Sequence, residues 1–242
     1  NSEIIDTIGT ELQQELNAEI GDLDLEAELN TEILIENNIV SNNFALTSSL
    51  SRELDPIHLN DIEPAFSDTQ YWKKGDVFIS LRHQSMVLLY RPNTNEIIWK
   101  GTGKFFHQHD VDILDDHRIS IFNNNVKVFA NNMVVDGNNE VVIYDFKTNQ
   151  YTSYLKESLV KEDVRTITEG RSQILDNGDL FVEETAFGRA LLFNADGSLR
   201  WQHVNRSNDG NVYHVGWSRI LYKLNDIKTV NKLLESKKEC SN

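Results

Sequence analysis

GDVFISLRHQSMVLLYRPNTNEIIW, residues 75–99, holds a short apolar strand, a turn, a second apolar strand, and an Asn/Thr turn that runs into a tryptophan. The same order returns from HRISIFNNN (117–125) to EVVIYDFKTNQY (140–151), and again in GDLFVEETAFGRALLFNADGSLRW (178–201). Gly75-Asp76, His117-Arg118 and Gly178-Asp179 open the first strand of each unit; Tyr90, Tyr144 and Phe193 close the second; Trp99, Tyr151 and Trp201 end the unit. The opening landmarks are 42 and then 61 residues apart, so the loops vary while the strands persist. Equal strands with unequal loops describe the blades of a β-propeller. Such a fold brings loops from several blades to one central mouth, and the histidines of this chain fall near strand starts.

Outward from these units, composition narrows the field. The chain has 242 residues, 39% of them apolar, enough for a substantial core. Its net charge of −15 is unevenly spread, because residues 1–55 hold 13 acids and one base, Arg52. The repeat region is therefore close to neutral. An acidic chain without a basic stripe lacks the means to neutralise phosphates, which argues against nucleic acid and anionic membrane surfaces. No apolar run approaches the roughly 20 residues needed to span a bilayer, and the start lacks a basic-then-apolar leader. Residue 1 is Asn, so the sequence reads as a processed or trimmed product whose destination stays open. The one cysteine, Cys240, has no partner for an internal disulfide and so indicates neither an oxidising nor a reducing compartment.

Ile4, Ile5, Ile8, Leu12, Leu16 and Ile20 recur at helical spacing, which predicts an amphipathic helix over residues 3–20, ended by Gly21. Leu25, Leu29, Ile33 and Leu34 continue the spacing to about Glu36, where an Asn-rich stretch breaks it. The expected organisation is an acidic helical arm over 1–53, propeller blades over 54–223, and a short helix and tail over 224–242. The arm packs its stripe against the propeller or an adjoining chain, or else recruits a partner. Turn signals at Pro92-Asn93, Asp136-Gly137, Asp176-Asn177-Gly178 and Asp196-Gly197 bound the strands. VYHVGWSRILYKL (212–224) reads as a partial fourth unit, for about 3.5–4 blades in all. Propellers close with about four to eight blades, so the missing ones are expected from further N-terminal sequence or another protein chain.

Among seven histidines, His58 in DPIHLNDIEP and His109 in KFFHQHDVDIL occupy one kind of position, just ahead of an inner strand. Arg82 follows the first repeat strand, and His214 and Arg219 lie in the partial fourth unit. Imidazoles and guanidiniums around a shared mouth suit an oxyanion such as sulfate, since Arg offers a planar fork and His can donate hydrogen bonds or attack an electrophile. Single histidines in β-rich chains are ordinarily structural, and His83, His117 and His203 are read so. The HQH triplet (107–109) could suggest a metal, but it has no Cys partner and no second tight cluster, so no metal is expected. Asp115-Asp116 reads as turn chemistry. Neither a glycine-rich phosphate loop nor a GxSxG elbow is present.

DPIHLNDI, GDVFISLRHQS, EIIWKGTG, HQHDVDILDDHRISIFNNN, EGRSQILDNGDLFVEE and GRALLFNADGSLRW come in an order that resembles the arylsulfotransferase family, over roughly residues 54–222. The resemblance implies a six-bladed propeller that moves a sulfuryl group from an aryl sulfate to a phenol without a nucleotide donor. It implies that His58 and His109 are sulfate-contacting histidines, one histidine being transiently sulfurylated while neighbouring His and Arg hold the sulfate oxygens. HLN supplies Asn60 beside His58. Arg82, Lys127 and Arg171 are the expected cationic substrate contacts, and His214 is a third catalytic candidate by its place in the fourth unit. Where many relatives read FDNG followed by Arg, this chain reads FNNNVK, so Lys127 keeps the charge without the fork. No cofactor or metal is implied, and the resemblance points to a secreted, periplasmic or extracellular setting. The alternative is a non-catalytic propeller that serves as a binding or assembly module, its acidic arm engaging a partner protein.

Overall fold

The computed structural model describes Asp55, residues 57–129 and residues 132–236. The expected acidic arm and the tail with Cys240 lie outside the described residues. The chain divides into two compact units, residues 1–58 and residues 59–242.

The second unit is built from three four-stranded antiparallel sheets, the blades of a partial β-propeller. The first comprises β1 (Leu59–Pro64), β2 (Val77–Leu81), β3 (Met86–Arg91) and β4 (Glu96–Thr102), paired in chain order. The second comprises β5 (His109–Ile113), β6 (Arg118–Asn123), β9 (Glu140–Asp145) and β10 (Gln150–Tyr154); a separate hairpin, β7 (Val126–Phe129) with β8 (Asn132–Val135), is spliced between β6 and β9. A short helix α1 (Lys156–Lys161) leads to the third sheet, β11 (Arg171–Ile174), β12 (Leu180–Glu184), β13 (Arg189–Phe193) and β14 (Leu199–Val204). The spliced hairpin and α1 account for the unequal repeat offsets.

The central strands read as unbroken apolar runs because both of their faces are covered. Phe78, Val87 and Leu89 of the first blade pack against Val111, Ile119, Ile121 and Tyr144 of the second, with Trp72 and Phe105 filling between. Phe122 and Val141 of the second blade pack likewise against Leu180, Val182, Leu191 and Phe193 of the third. The closing aromatics have a matching rationale. Tyr90 donates its hydroxyl to Asn95 Oδ1 at 2.6 Å and Tyr144 to Asn149 Oδ1 at 3.0 Å, and both asparagines sit at φ 56 in the turn. In the third blade Phe193 needs no such partner, because Gly197 takes the positive φ of its turn. Trp99 stacks on Tyr144 with centroids 4.7 Å apart, whereas its counterpart Trp201 is 38% exposed, with no fourth blade among the described residues.

The expected partial fourth blade does not form as strands. Among the described residues, the segment 205–223 holds one isolated bridge, Arg206 with Val212, before α2 (Leu224–Ser236). Trp217 there adopts φ 62, a left-handed backbone that interrupts an extended path, and the sequence after it turns helical as α2. The segment nevertheless covers the third blade: Ile220 packs on Leu175, Phe181, Ala190 and Leu192, and buried Glu183 accepts the main-chain N–H groups of Trp217 and Ser218.

Candidate functional site

In an antiparallel blade the start of the first strand and the end of the second lie at the same end of the sheet. Arg82 follows β2, His109 opens β5, Asn124 follows β6, and Glu169-Gly170 stands just ahead of β11. These residues, far apart in sequence, therefore share one end of the arc.

Gln108 ties the first two blades together there. It is fully buried, and its Nε2 lies 3.0 Å from Ser80 Oγ, 3.2 Å from the Leu81 carbonyl and 2.8 Å from the Met86 carbonyl. Asn60 donates its amide to the Gln108 carbonyl at 2.8 Å. The turn that carries Arg82 closes through Ser85 N–H to the Arg82 carbonyl, and Ser85 Oγ accepts the His107 N–H at 3.1 Å. Arg82 itself is 5% exposed, its Nε has no hydrogen-bond partner, and among the described residues no carboxylate forms an ion pair with it. Burial pushes its pKa down, since a guanidinium out of water loses hydration. A buried cation in this condition is suited to receive an anion. The rings of His83 and His107 stand 6.4 Å apart.

His109 is also buried, at 8% exposure. Its Nδ1 lies 2.7 Å from Asn124 Oδ1, and its Nε2 accepts the Glu169 N–H at 3.2 Å. Asn124 donates its amide to the carbonyls of Thr166 at 3.2 Å and Glu169 at 2.8 Å. Asn139 braces the same loop by donating to the Asn124 and Thr166 carbonyls and accepting the Thr166 N–H.

The axis is different in character. The first strands β1, β5 and β11 surround a cavity of about 710 Å³ that receives Asp61, Glu63, Asp110 and Asp112, with Arg171 the cation among them and Trp217, Arg219 and Tyr222 at its edge. Burial raises Glu63 to about 7, reinforced by Asp112 and Asp61. Burial also lifts Asp112 to about 6, with Arg171 opposing and Asp61 adding to the rise. Asp110 and Asp61 are likewise raised by burial. Two of these carboxylates latch successive blades: Asp61 accepts the Val111 N–H at 2.6 Å, and Asp110 accepts the Ser172 N–H at 2.7 Å and the Arg171 guanidinium at 2.8 Å.

The candidates read from the sequence thus separate. Asn60 and Arg171 line the acidic axial cavity; Arg82 and His109 belong to the polar network at the blade end. Lys127 lies on the spliced hairpin, exposed, 2.5 Å from Asp136. His214 is exposed in the segment after β14, where its carbonyl accepts from Asn205. His58 falls in the first unit, its Nδ1 2.6 Å from Asp55 Oδ2. Asp115 shapes its turn by accepting the N–H groups of His117 and Arg118. Gln108 and Asn124 escaped sequence reading. The signal for Asn124 was the Asn123-Asn124-Asn125 run directly after an apolar strand, since polar residues placed there have to find partners inside the blade end.

A search of curated proteins finds no match for the chain. Among solved structures, that of apo AztD from Citrobacter koseri is similar at a TM-score of 0.33 and 10% identity, over 58% of this chain and 34% of the other. The chain therefore spans about a third of the length of that neighbour. The family profile described as Arylsulfotransferase (ASST) matches residues 25–206, a span that takes in all three blades together with Arg82 and His109. With three-quarters of its length under that profile, the chain belongs to the arylsulfotransferase family.

Proposed function

We propose that this chain performs nucleotide-independent sulfuryl transfer from an aryl sulfate to a phenolic acceptor at the blade end that holds Arg82 and His109, and not in the axial cavity. The observation behind this reading is Arg82, a buried guanidinium without a carboxylate partner among the described residues. The axial cavity suits a sulfate poorly, because its carboxylates outnumber its cations.

In this reading Arg82 holds sulfate oxygens as charge builds on them in transfer. The His109 lone pair attacks sulfur as the bond from sulfur to the aryl oxygen breaks, the departing electron pair going to the aryl oxide. The phenol oxygen then attacks sulfur, the bond from nitrogen to sulfur breaks, and the phenolic proton passes to solvent. Lys127, Arg171 and His214 have no part in the transfer on this reading. His58 keeps the role that family membership suggests and is tested beside His109.

The test uses the full chain with 4-nitrophenyl sulfate and phenol, following nitrophenol release. Arg82→Ala should lower kcat/KM by about 10²-fold or more, the scale on which losing one oxyanion donor acts. His109→Ala and His58→Ala should abolish release. Release that survives His109→Ala sinks the assignment. Absence of release from the parent chain, with inorganic sulfate still protecting it against thermal unfolding in an Arg82-dependent way, would favour the second reading, a propeller that binds anions without turning them over. That reading draws on His109, whose two ring nitrogens are both engaged in the blade-end network.

A further inference from the structure

We infer that Asn124 is a positioning residue that locks His109 as the tautomer protonated on Nδ1, leaving Nε2 as the nitrogen that would carry the sulfuryl group. The second half of this statement rests on the sulfuryl-transfer reading; the first half stands on hydrogen bonding alone.

Amide orientation settles the tautomer. The terminal atom of Asn124 that faces the Thr166 and Glu169 carbonyls, at 3.2 and 2.8 Å, has to be the NH2 group, because a carbonyl oxygen only accepts. The other terminal atom, facing His109 Nδ1 at 2.7 Å, is then the oxygen, which also only accepts. Nδ1 must therefore bear the hydrogen. An independent contact at the far side of the ring agrees: the Glu169 N–H points at Nε2 from 3.2 Å, so Nε2 offers a lone pair. A single loop thus sets both nitrogens, since the Glu169 carbonyl orients Asn124 and the Glu169 N–H marks Nε2.

That loop is shaped to do so. Glu169 and Gly170 both adopt positive φ, at 55 and 83, which turns successive peptide groups toward the buried ring. For transfer, sulfur takes the place of the Glu169 N–H on the Nε2 lone pair. The new bond from Nε2 to sulfur forms as the aryl oxide leaves, and the ring keeps its Nδ1 hydrogen. The positive charge then on the ring is shared with Asn124 Oδ1, which strengthens as an acceptor when its donor is charged. In the other tautomer Nε2 would bear the hydrogen and have no lone pair to offer.

Long-range proton–nitrogen NMR on the uniformly 15N-labelled full chain tests this, with the His109 signals assigned by their loss in His109→Gln. At a pH where the ring is neutral, Nδ1 is expected to have the shift of a protonated nitrogen and Nε2 that of a bare one. In Asn124→Leu the preference should be lost and any nitrophenol release should fall at least about tenfold, as removal of an imidazole's orienting partner does. In Asn124→Asp the Nδ1-protonated form should return, with the ring titrating at higher pH because the acceptor is now charged. A neutral parent ring protonated on Nε2 overturns the inference, and this needs no variant to fold. Unchanged His109 shifts in a folded Asn124→Leu also overturn it. If the parent ring is protonated on Nδ1 but the chain releases no nitrophenol, the tautomer lock stands and the sulfuryl-transfer reading falls. If release depends on His109 while Nε2 bears the hydrogen, transfer stands and the lock falls.

Discussion

At the residue scale, the blade end depends on side chains whose alternatives are few. Gly170 is one of them. At φ 83 it occupies a region that side-chain-bearing residues avoid, and a Cβ there would lie 2.6 Å from the Phe122 ring, 2.6 Å from Thr166 Cγ2 and 3.1 Å from the Glu183 carbonyl. These neighbours are packed core or main chain, so little can move aside. Gly170→Ala should destabilise the unit by about 1–3 kcal/mol, as positive-φ strain and overpacking do. Because the Glu169 N–H touches His109, the same variant should also alter the His109 NMR signals. Urea denaturation of the variant beside the parent checks the first outcome, and an unchanged midpoint would show that the loop relaxes freely.

At the element scale, the blades are joined in two ways, by apolar faces away from the axis and by main-chain latches beside it. Sequence periodicity made the faces legible, since Val77–Leu81 with Met86–Arg91 and Leu180–Glu184 with Arg189–Phe193 read directly as buried strand pairs. The latches were not legible, because Asp61 looks like any surface aspartate until Val111 N–H is found 2.6 Å away. Asp61→Ala should cost about 1–3 kcal/mol by leaving that donor unpaired at the junction of two blades. Asp61→Asn keeps an acceptor oxygen and removes a charge from a crowded carboxylate group, so it should match or exceed the parent in stability at pH 8. Chemical denaturation of the two variants separates these effects, and equal losses in both would show that the charge, not the acceptor, is what matters.

At the scale of the whole molecule, the acidic axis makes stability depend on pH in a stated direction. Asp61 and Glu63 from β1 and Asp110 and Asp112 from β5 face one another around a cavity to which β11 brings Arg171. The folded chain holds the Glu63 proton up to about pH 7, because burial and the neighbouring Asp112 and Asp61 oppose its ionisation. The unfolded chain releases that proton near the ordinary glutamate value, so across the window between them the native state binds more protons. Stability must then fall as pH rises through that window. Asp112, raised to about 6, acts in the same sense over the lower part of it. Thermal unfolding between pH 5 and pH 8 should show a declining Tm, and Glu63→Gln should flatten much of the decline. A Tm that climbs steadily across that range would mean the axial carboxylates are better compensated than their surroundings imply.

The sequence by itself determined the strand pairs, the turn positions and the family, because alternation, turn chemistry and motif order are local properties that survive without coordinates. It also singled out Arg82 and His109 as residue types suited to a sulfate. Tertiary structure alone decided which of the candidates stand together. Chain crossing between blades put Asn60 and Arg171 among carboxylates, left Arg82 buried without a countercharge among the described residues, and set Asn124 against His109. It also turned the expected fourth blade into an irregular cover for the third. The physical reason is one of range: a strand's propensity is written within a few residues, whereas a buried group's solvation and hydrogen-bond partners come from segments tens of residues away, which no local pattern encodes.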